Sequence, residues 1–206
     1  MDKDDWINYL MQLQAIAQNG LAYSKNKFDI ERYEQLRNIV KTMIANVTQL
    51  PLNKVNNLFC NETGYQTPKI GTRASIISNN KILLVQEENH KWSLPGGWCE
   101  VNLSIKENII KEVKEETGLN VKPRKIIALE DRNKHNSPKY LYGICKIFIA
   151  CDIIDGKFQK NNETLQTKYF KLDDLPKNLS NEKSNLEQIK MCYQAYQDPN
   201  WEVFFD

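Results

Sequence analysis

Apolar residues recur every three to four positions through the first 59 residues, and the period shortens to two from about residue 73 onward. Trp6, Leu10, Leu13 and Ala17 form one helical stripe, which starts behind Asp4 and Asp5 and is expected to stop at Asn19-Gly20. Tyr33, Leu36, Val40, Met43 and Val47 form a second, from about Asp29. Pro51 suits the first turn of a third, short helix that carries Val55, Leu58 and Phe59. So few helical residues bury little surface alone, so residues 1–62 are expected to dock on the rest of the chain or on a second copy.

The stretch 61–68 is rich in turn formers and marks the boundary. Past it, 73–77 and 82–86 alternate as strands around Ser78-Asn79-Asn80-Lys81, which predicts a hairpin. Further strands are expected at 92–94, 125–130, 140–152 and 169–172. A last helix over about 184–196 carries Leu186, Ile189 and Tyr193, with Ser184 and Glu187 spaced as a capping box. Strands interrupted by one helix and followed by another predict an α/β domain, a mixed sheet between helical layers, over residues 68–206.

The interrupting helix carries the chemistry. Glu112, Glu115 and Glu116 stand at i, i+3 and i+4, on one arc within one turn. Like charges at this spacing repel by a few tenths of a kcal/mol per pair, so helix stability does not ask for them. A hard dication such as Mg²⁺ or Mn²⁺ turns that cost into a gain, because it prefers clustered carboxylate oxygens. A solvated charged face is the ordinary account of a glutamate-rich helix. Here Leu94-Pro95-Gly96-Gly97 before it and Thr117-Gly118-Leu119 after it set it apart. The double glycine permits close backbone approach to metal or phosphate, and its carbonyls add oxygen donors. Gly96 or Gly97 is therefore expected to join Glu112, Glu115 and Glu116 as a ligand.

Residues 97–119 resemble the signature of the Nudix hydrolases, G-x5-E-x7-R-E-U-x-E-E-x-G-U with U a bulky aliphatic. Gly97, Glu112, Val113, Glu115, Glu116, Gly118 and Leu119 match; Leu103 stands at the first Glu position and Lys111 at the Arg position. In the family those two positions are commonly paired, so their joint loss is expected to be a coupled replacement that leaves Lys111 free to reach solvent. The resemblance implies an α/β/α sandwich and hydrolysis of a diphosphate bridge, with Glu115 and Glu116 in catalytic roles. It also implies a general base on a late loop, for which Glu163 is the candidate. The N-terminal helices, with DIERYEQLR (29–37) and NETGYQTPKI (61–70), are similar to the accessory region of the subgroup acting on nucleoside diphosphates linked to X. CDP-choline and ADP-ribose are such substrates, and a nucleoside monophosphate and X-phosphate are the products.

Arg73 leads toward the site on a strand, where its fork suits a phosphate, although a surface salt bridge is the plainer expectation. Loop 131–135 is a candidate cover with positive charge, His135 within it being more ordinary as a loop residue than as an acid. Tyr65, Trp92 and Tyr140 are candidates for stacking a base.

A net charge of +2 without a polybasic run does not point to bulk nucleic-acid binding, though an RNA end stays open as a secondary substrate. A nucleotide-binding module with lapsed hydrolysis is the further alternative, argued against by the three retained glutamates. Five scattered cysteines and two histidines give neither a zinc pattern nor a disulfide framework, and Cys99 fits a small semi-buried thiol better than a nucleophile. The acidic start is unlike a signal peptide and no run of about 18 apolar residues occurs, so a reduced, cytoplasmic protein without membrane contact is expected. The apolar stripes of the N-terminal helices favour a homodimer through that region.

Overall fold

The computed structural model describes residues 2–159, 161 and 163–206. The chain divides into two compact units, one formed by residues up to Pro68 with Lys139–Gly143, the other by Lys69–Pro138 and Ile144–Asp206. Among the described residues no helix is long and apolar enough to cross a membrane.

The first unit is helical: α1 (Lys3–Tyr23), α2 (Lys27–Thr48) and α3 (Leu52–Phe59). Asp2 and Asp5 close a capping box at the head of α1, and the Asn26 side chain caps α2. Ile7 and Leu10 from α1 pack with Val40 and Ile44 from α2, Val55 from α3 and Leu141 from the returning segment. Contrary to expectation, α1 does not stop at Asn19-Gly20 but runs on to Tyr23. The Tyr33 ring of α2 occupies the space where a Cβ of residue 20 would stand, so Gly20 serves close helix packing rather than chain reversal.

The second unit is an α/β/α sandwich. Its strands are β1 (Lys69–Ser75), β2 (Ile77–Ser78), β3 (Lys81–Glu87), β4 (Trp92–Ser93), β5 (Leu119–Asp131), β6 (Ile144–Gly156), β7 (Thr164–Phe170) and β8 (Phe204–Phe205). One sheet has the order β1-β6-β5-β8, with β1 parallel to β6 and β6 antiparallel to β5. The other places β3 between β2 and β7, with β4 also paired to β3, all antiparallel. The helices are α4 (Ile105–Thr117), the single turn α5 (Arg132–His135) and α6 (Leu186–Gln197). Alternation along β6 sorts the two layers: Ile147, Ile149 and Cys151 face Ile109 and Val113 of α4, whereas Phe148 and Ala150 face Ile189, Cys192 and Tyr193 of α6.

Several expected boundaries moved, among them β5, which begins at Leu119 rather than 125, and β7, which spans Thr164–Phe170 rather than 169–172. The hairpin is confined to Ile77–Ser78 against Lys81–Ile82, with Asn79 and Asn80 at φ 49° and 59°, the left-handed pair a two-residue turn requires. Arg73 belongs instead to β1, which pairs with β6 in the other sheet. The β6 strand begins at Ile144 rather than Tyr140, because 139–143 joins the helical unit. The last helix is capped by Asn185 with Gln188, one residue beyond the expected Ser184 and Glu187.

Helix α4 is fixed at both ends. Ser104 and Glu107 form a capping box, and Gly118 takes a left-handed C-cap at φ 72°. A Cβ at Gly118 would also overlap the Lys157 carbonyl oxygen. Gly118→Ala is therefore expected to destabilise the chain by about 2 kcal/mol or more, read as a lower urea midpoint at unchanged m-value. A change below roughly 0.5 kcal/mol would show that this end of α4 yields freely.

Candidate active site

The loop between β4 and α4 is stitched to β1 by main-chain bonds: Ala74 N to Pro95 O and Thr72 N to Gly97 O, each 2.8 Å, and Cys99 N to Ile70 O, 2.9 Å. Arg73, half-buried on β1, donates Nη1 to the carbonyls of Leu94 and Gly96. Through these two carbonyls its guanidinium braces the glycine loop. Asn108 of α4, fully buried, accepts from Glu100 N at 3.1 Å and donates to Thr72 Oγ1 at 3.0 Å, tying helix, loop and strand together.

Two of the three signature glutamates turn into this loop. Glu116, 8 % exposed, accepts a 2.7 Å hydrogen bond from Gly96 N. Gly96 stands at φ 133°, and a Cβ there would overlap the Thr72 carbonyl, so only glycine presents this amide to the carboxylate. Glu112 lies against Gly97, where a Cβ would collide with its carboxylate. Burial pushes the Glu116 pKa up to about 7, against the opposing pull of Arg73 and the Gly96 amide. Burial likewise raises that of Glu112, with Lys111 pulling the other way.

Glu115 takes a different partner. Its carboxylate is 2.6 Å from Lys111 Nζ, one turn back on the exposed side of α4. Lys111 also reaches Glu100 at 3.1 Å and Glu112 at 3.5 Å, and the bond to Glu115 leads in pushing its pKa up. The side chain thus does not escape to solvent as expected. The turn closed by Leu103 N to Glu100 O, 3.1 Å, brings Glu100 to Lys111. A loop carboxylate therefore still meets a helix cation, from a position three residues ahead of the signature's first glutamate.

Glu163 lines a cleft of about 550 Å³ together with Glu87, Glu88, Asn89, Glu116 and Lys183. Asn161 secures its loop, donating to the Glu115 carbonyl at 2.9 Å and accepting from Glu163 N and Thr164 N at 2.9 and 2.7 Å. The sequence Lys160-Asn161-Asn162-Glu163-Thr164 reads as a turn-rich loop, although Lys160 and Asn162 lie outside the described residues. Nothing local marks Lys183 and Glu87, 96 positions apart, as the ion pair they form at 2.6 Å.

Other candidates are placed elsewhere. Trp92 is buried edge-on against Phe170 and offers no face to a base. Tyr65 and Tyr140 belong to the helical unit, where they pack against Tyr23 and Tyr142. Segment 131–135 is no open cover: Arg132 is buried within it, and His135 Nε2 is held 2.7 Å from the Asp206 carboxylate. Cys99 is partly buried, its thiol within 3.8 Å of the Glu100 and Leu103 carbonyls.

Among the described residues no three His, Cys, Asp or Glu side chains stand as a ready-made metal cluster, since Glu115 is turned to Lys111. The donors nonetheless suit a hard dication. Glu112 and Glu116 are desolvated carboxylates whose ionised forms lack full compensation, and the Gly96 and Gly97 carbonyls each keep a lone pair beyond the bond they accept.

An α/β/α sandwich whose glutamate helix closes on a glycine loop beside an acidic cleft suits an enzyme that works through carboxylates. A family model for the NUDIX domain matches residues 68–190, and one described as a UDP-X-like, N-terminal oligomerisation domain matches residues 4–59. The chain belongs to the Nudix hydrolases, enzymes that generally use divalent metal ions. It is 39 % identical over 202 residues to a putative ADP-ribose pyrophosphatase, YjhB, of Bacillus subtilis strain 168, covering 98 % of this chain and 97 % of that one. The crystal structure of a UDP-X diphosphatase matches with TM-score 0.64 and 35 % identity, covering 99 % of this chain and all of its own. An ADP-ribose pyrophosphatase from Streptococcus suis 89-1591 matches with TM-score 0.64 and 46 % identity, over 68 % of this chain and all of its own.

The titration of Glu116 gives a test free of any substrate. Its pKa lies near 7 in the folded chain against an ordinary 4.5, so between these values the folded state holds a proton that the unfolded state has lost. Stability contributed by this group is complete below about pH 4.5 and is lost as pH rises toward 7, by roughly 3 kcal/mol at most. In chelator, Glu116→Gln is expected to melt above wild type at pH 8, with the gap shrinking by pH 5. Equal melting points at pH 8 would mean that the carboxylate is not desolvated.

Proposed function

We propose that this Nudix hydrolase cleaves the diphosphate bridge of nucleoside diphosphates linked to a second moiety, giving a nucleoside monophosphate and the phosphorylated partner. Desolvated Glu112 and Glu116, set against a glycine loop at the edge of an acidic cleft, are the observation that carries it. ADP-ribose leads among substrates because two similar proteins bear that activity in their names; UDP-linked compounds follow, and CDP-choline stays in the panel. Glu112, Glu116 and the Gly97 carbonyl, with Glu115 once it leaves Lys111, would hold Mg²⁺ or Mn²⁺. Such an ion, when bound, neutralises charge on the diphosphate and polarises its phosphorus.

The chain's own groups do the rest. Glu163, presented on a loop pinned by Asn161, takes the proton of the attacking water. A new P–O bond forms from that water, the bridging P–O bond breaks, and the bridging oxygen leaves with the departing phosphate. Residues 68–206 form the catalytic domain in this proposal, and residues 1–62 an accessory region that pairs two copies. The family description of residues 4–59 supports the pairing, as do Tyr9, Ile16, Phe28 and Ile39, large apolar side chains left exposed on α1 and α2.

Incubation with ADP-ribose, UDP-glucose, CDP-choline and a 5′-triphosphorylated RNA, with products identified by mass spectrometry, tests the reaction. Metal-dependent release of a nucleoside monophosphate from at least one of the first three is expected; activity on the RNA alone would replace this function. Glu163→Gln is expected to lower kcat by about 10²- to 10⁴-fold with little change in KM, and a loss below tenfold would remove Glu163 as base. Light scattering should give twice the chain mass for wild type and the single mass for Ile39→Glu. A monomeric wild type would end the dimer proposal.

A further inference from the structure

A diphosphate bridge is strongly anionic, yet four glutamates, Glu87, Glu88, Glu116 and Glu163, line the cleft proposed to receive it. Among the described residues lining that cleft, Lys183 is the one cation. Its ammonium stands 2.6 Å from Glu87 Oε2, while Glu87 Oε1 accepts from Ser93 Oγ at 3.2 Å, so the carboxylate is the fixed partner and the lysine the movable one.

The backbone that carries Lys183 is fastened on several sides. Lys183 N donates to Ser180 O at 2.8 Å, and the Lys183 carbonyl accepts from the buried side-chain nitrogen of Lys146. Ser180 N donates to Trp92 O at 2.8 Å, and Ser184 Oγ accepts from Leu94 N at 3.3 Å. The turn is thus bound to the strand that runs into the glycine loop, which sets Lys183 in register with Gly96 and Glu116. A part-exposed ion pair adds little to stability, so folding alone does not account for a cation mounted this firmly at the cleft.

We propose that Lys183 is the diphosphate-binding cation of this site, kept on Glu87 in the free enzyme and transferred to phosphate oxygens when substrate enters. No covalent bond changes at the lysine. Its ammonium keeps its protons and exchanges one carboxylate partner for phosphate oxygens of the bridge, whose charge it offsets as the P–O bond breaks. Glu87 has a holding role, keeping the lysine at the cleft until phosphate oxygens replace it. This inference rests on the hydrolytic function proposed above.

The test is a cycle of Lys183→Met, Glu87→Gln and the double variant, with Lys183→Arg as the conservative control. Equilibrium binding of methylenediphosphonate, a bridge analogue with no base and no hydrolysable bond, is measured by calorimetry beside methylphosphonate. Lys183→Met should weaken methylenediphosphonate about 10- to 100-fold and methylphosphonate far less, and the double variant should stay weak. Lys183→Arg should bind within about threefold of wild type, and Glu87→Gln at least as tightly as wild type. Recovery in the double variant would show that the defect came from a stranded Glu87 charge, and would overturn the proposal. Undiminished binding by Lys183→Met, or none by wild type, overturns it too. A wild type that binds the analogue through Lys183 but hydrolyses no member of the substrate panel would sink the proposed function instead.

Discussion

Taking the Glu116 carboxylate out of water is the costly act on which this architecture turns. An isolated buried carboxylate costs several kcal/mol unless hydrogen bonds or opposite charge compensate it. Glu116 receives one main-chain amide from Gly96 and the field of Arg73, which leaves its pKa near 7 rather than restoring an ordinary acidic value. The loop that supplies the amide cannot drift away, because Arg73 and the main chain of β1 hold its carbonyls. Nor can α4 rotate, since Ile109 and Val113 are locked against β6 and its cap residues fix both ends. Two packed layers thus keep a group in place that would leave if either relaxed.

The departures from the family signature become intelligible in the same terms. Lys111 and Leu103 are not a loss of bracing, because Glu100 comes round the turn to Lys111. Yet a lysine is a point charge on a flexible stem, without an arginine's planar fork. It divides itself among Glu100, Glu112 and Glu115, where an arginine would commit to a fixed pair of bonds. Arg73, by contrast, braces the loop through two backbone carbonyls that accept from its Nη1.

Local pattern carried most of the sandwich. The apolar run of β6, the spacing of the three glutamates and the closing Thr117-Gly118-Leu119 are properties of consecutive residues, and each was legible in the sequence. What escaped depends on long-range placement. That Gly20 lies under Tyr33, that Arg73 turns to a loop more than twenty residues on, and that Lys146 reaches the Lys183 carbonyl are set only when elements pack. The same holds for Glu115: three carboxylates on one arc share a face, but one of them also sits four residues from Lys111, and that pairing decides where it points.

Both ion pairs at the rim of the site have the same character. Lys111 on Glu115 and Lys183 on Glu87 are close, at 2.6 Å each, but every lysine in them remains at least a third exposed. Pairs of that kind are weak because water competes for both partners. They differ in this from the bond between the largely buried Glu116 carboxylate and Gly96 N, where water competes far less. The site therefore has a rigid element, a carboxylate locked to a backbone amide, surrounded by charges that are neutralised yet readily exchanged. A ligand that brings positive charge competes for the glutamates, and one that brings negative charge competes for the lysines. In the proposed function a dication would draw Glu115 from Lys111 and the diphosphate would draw Lys183 from Glu87, exchanges that need neither rigid layer to move.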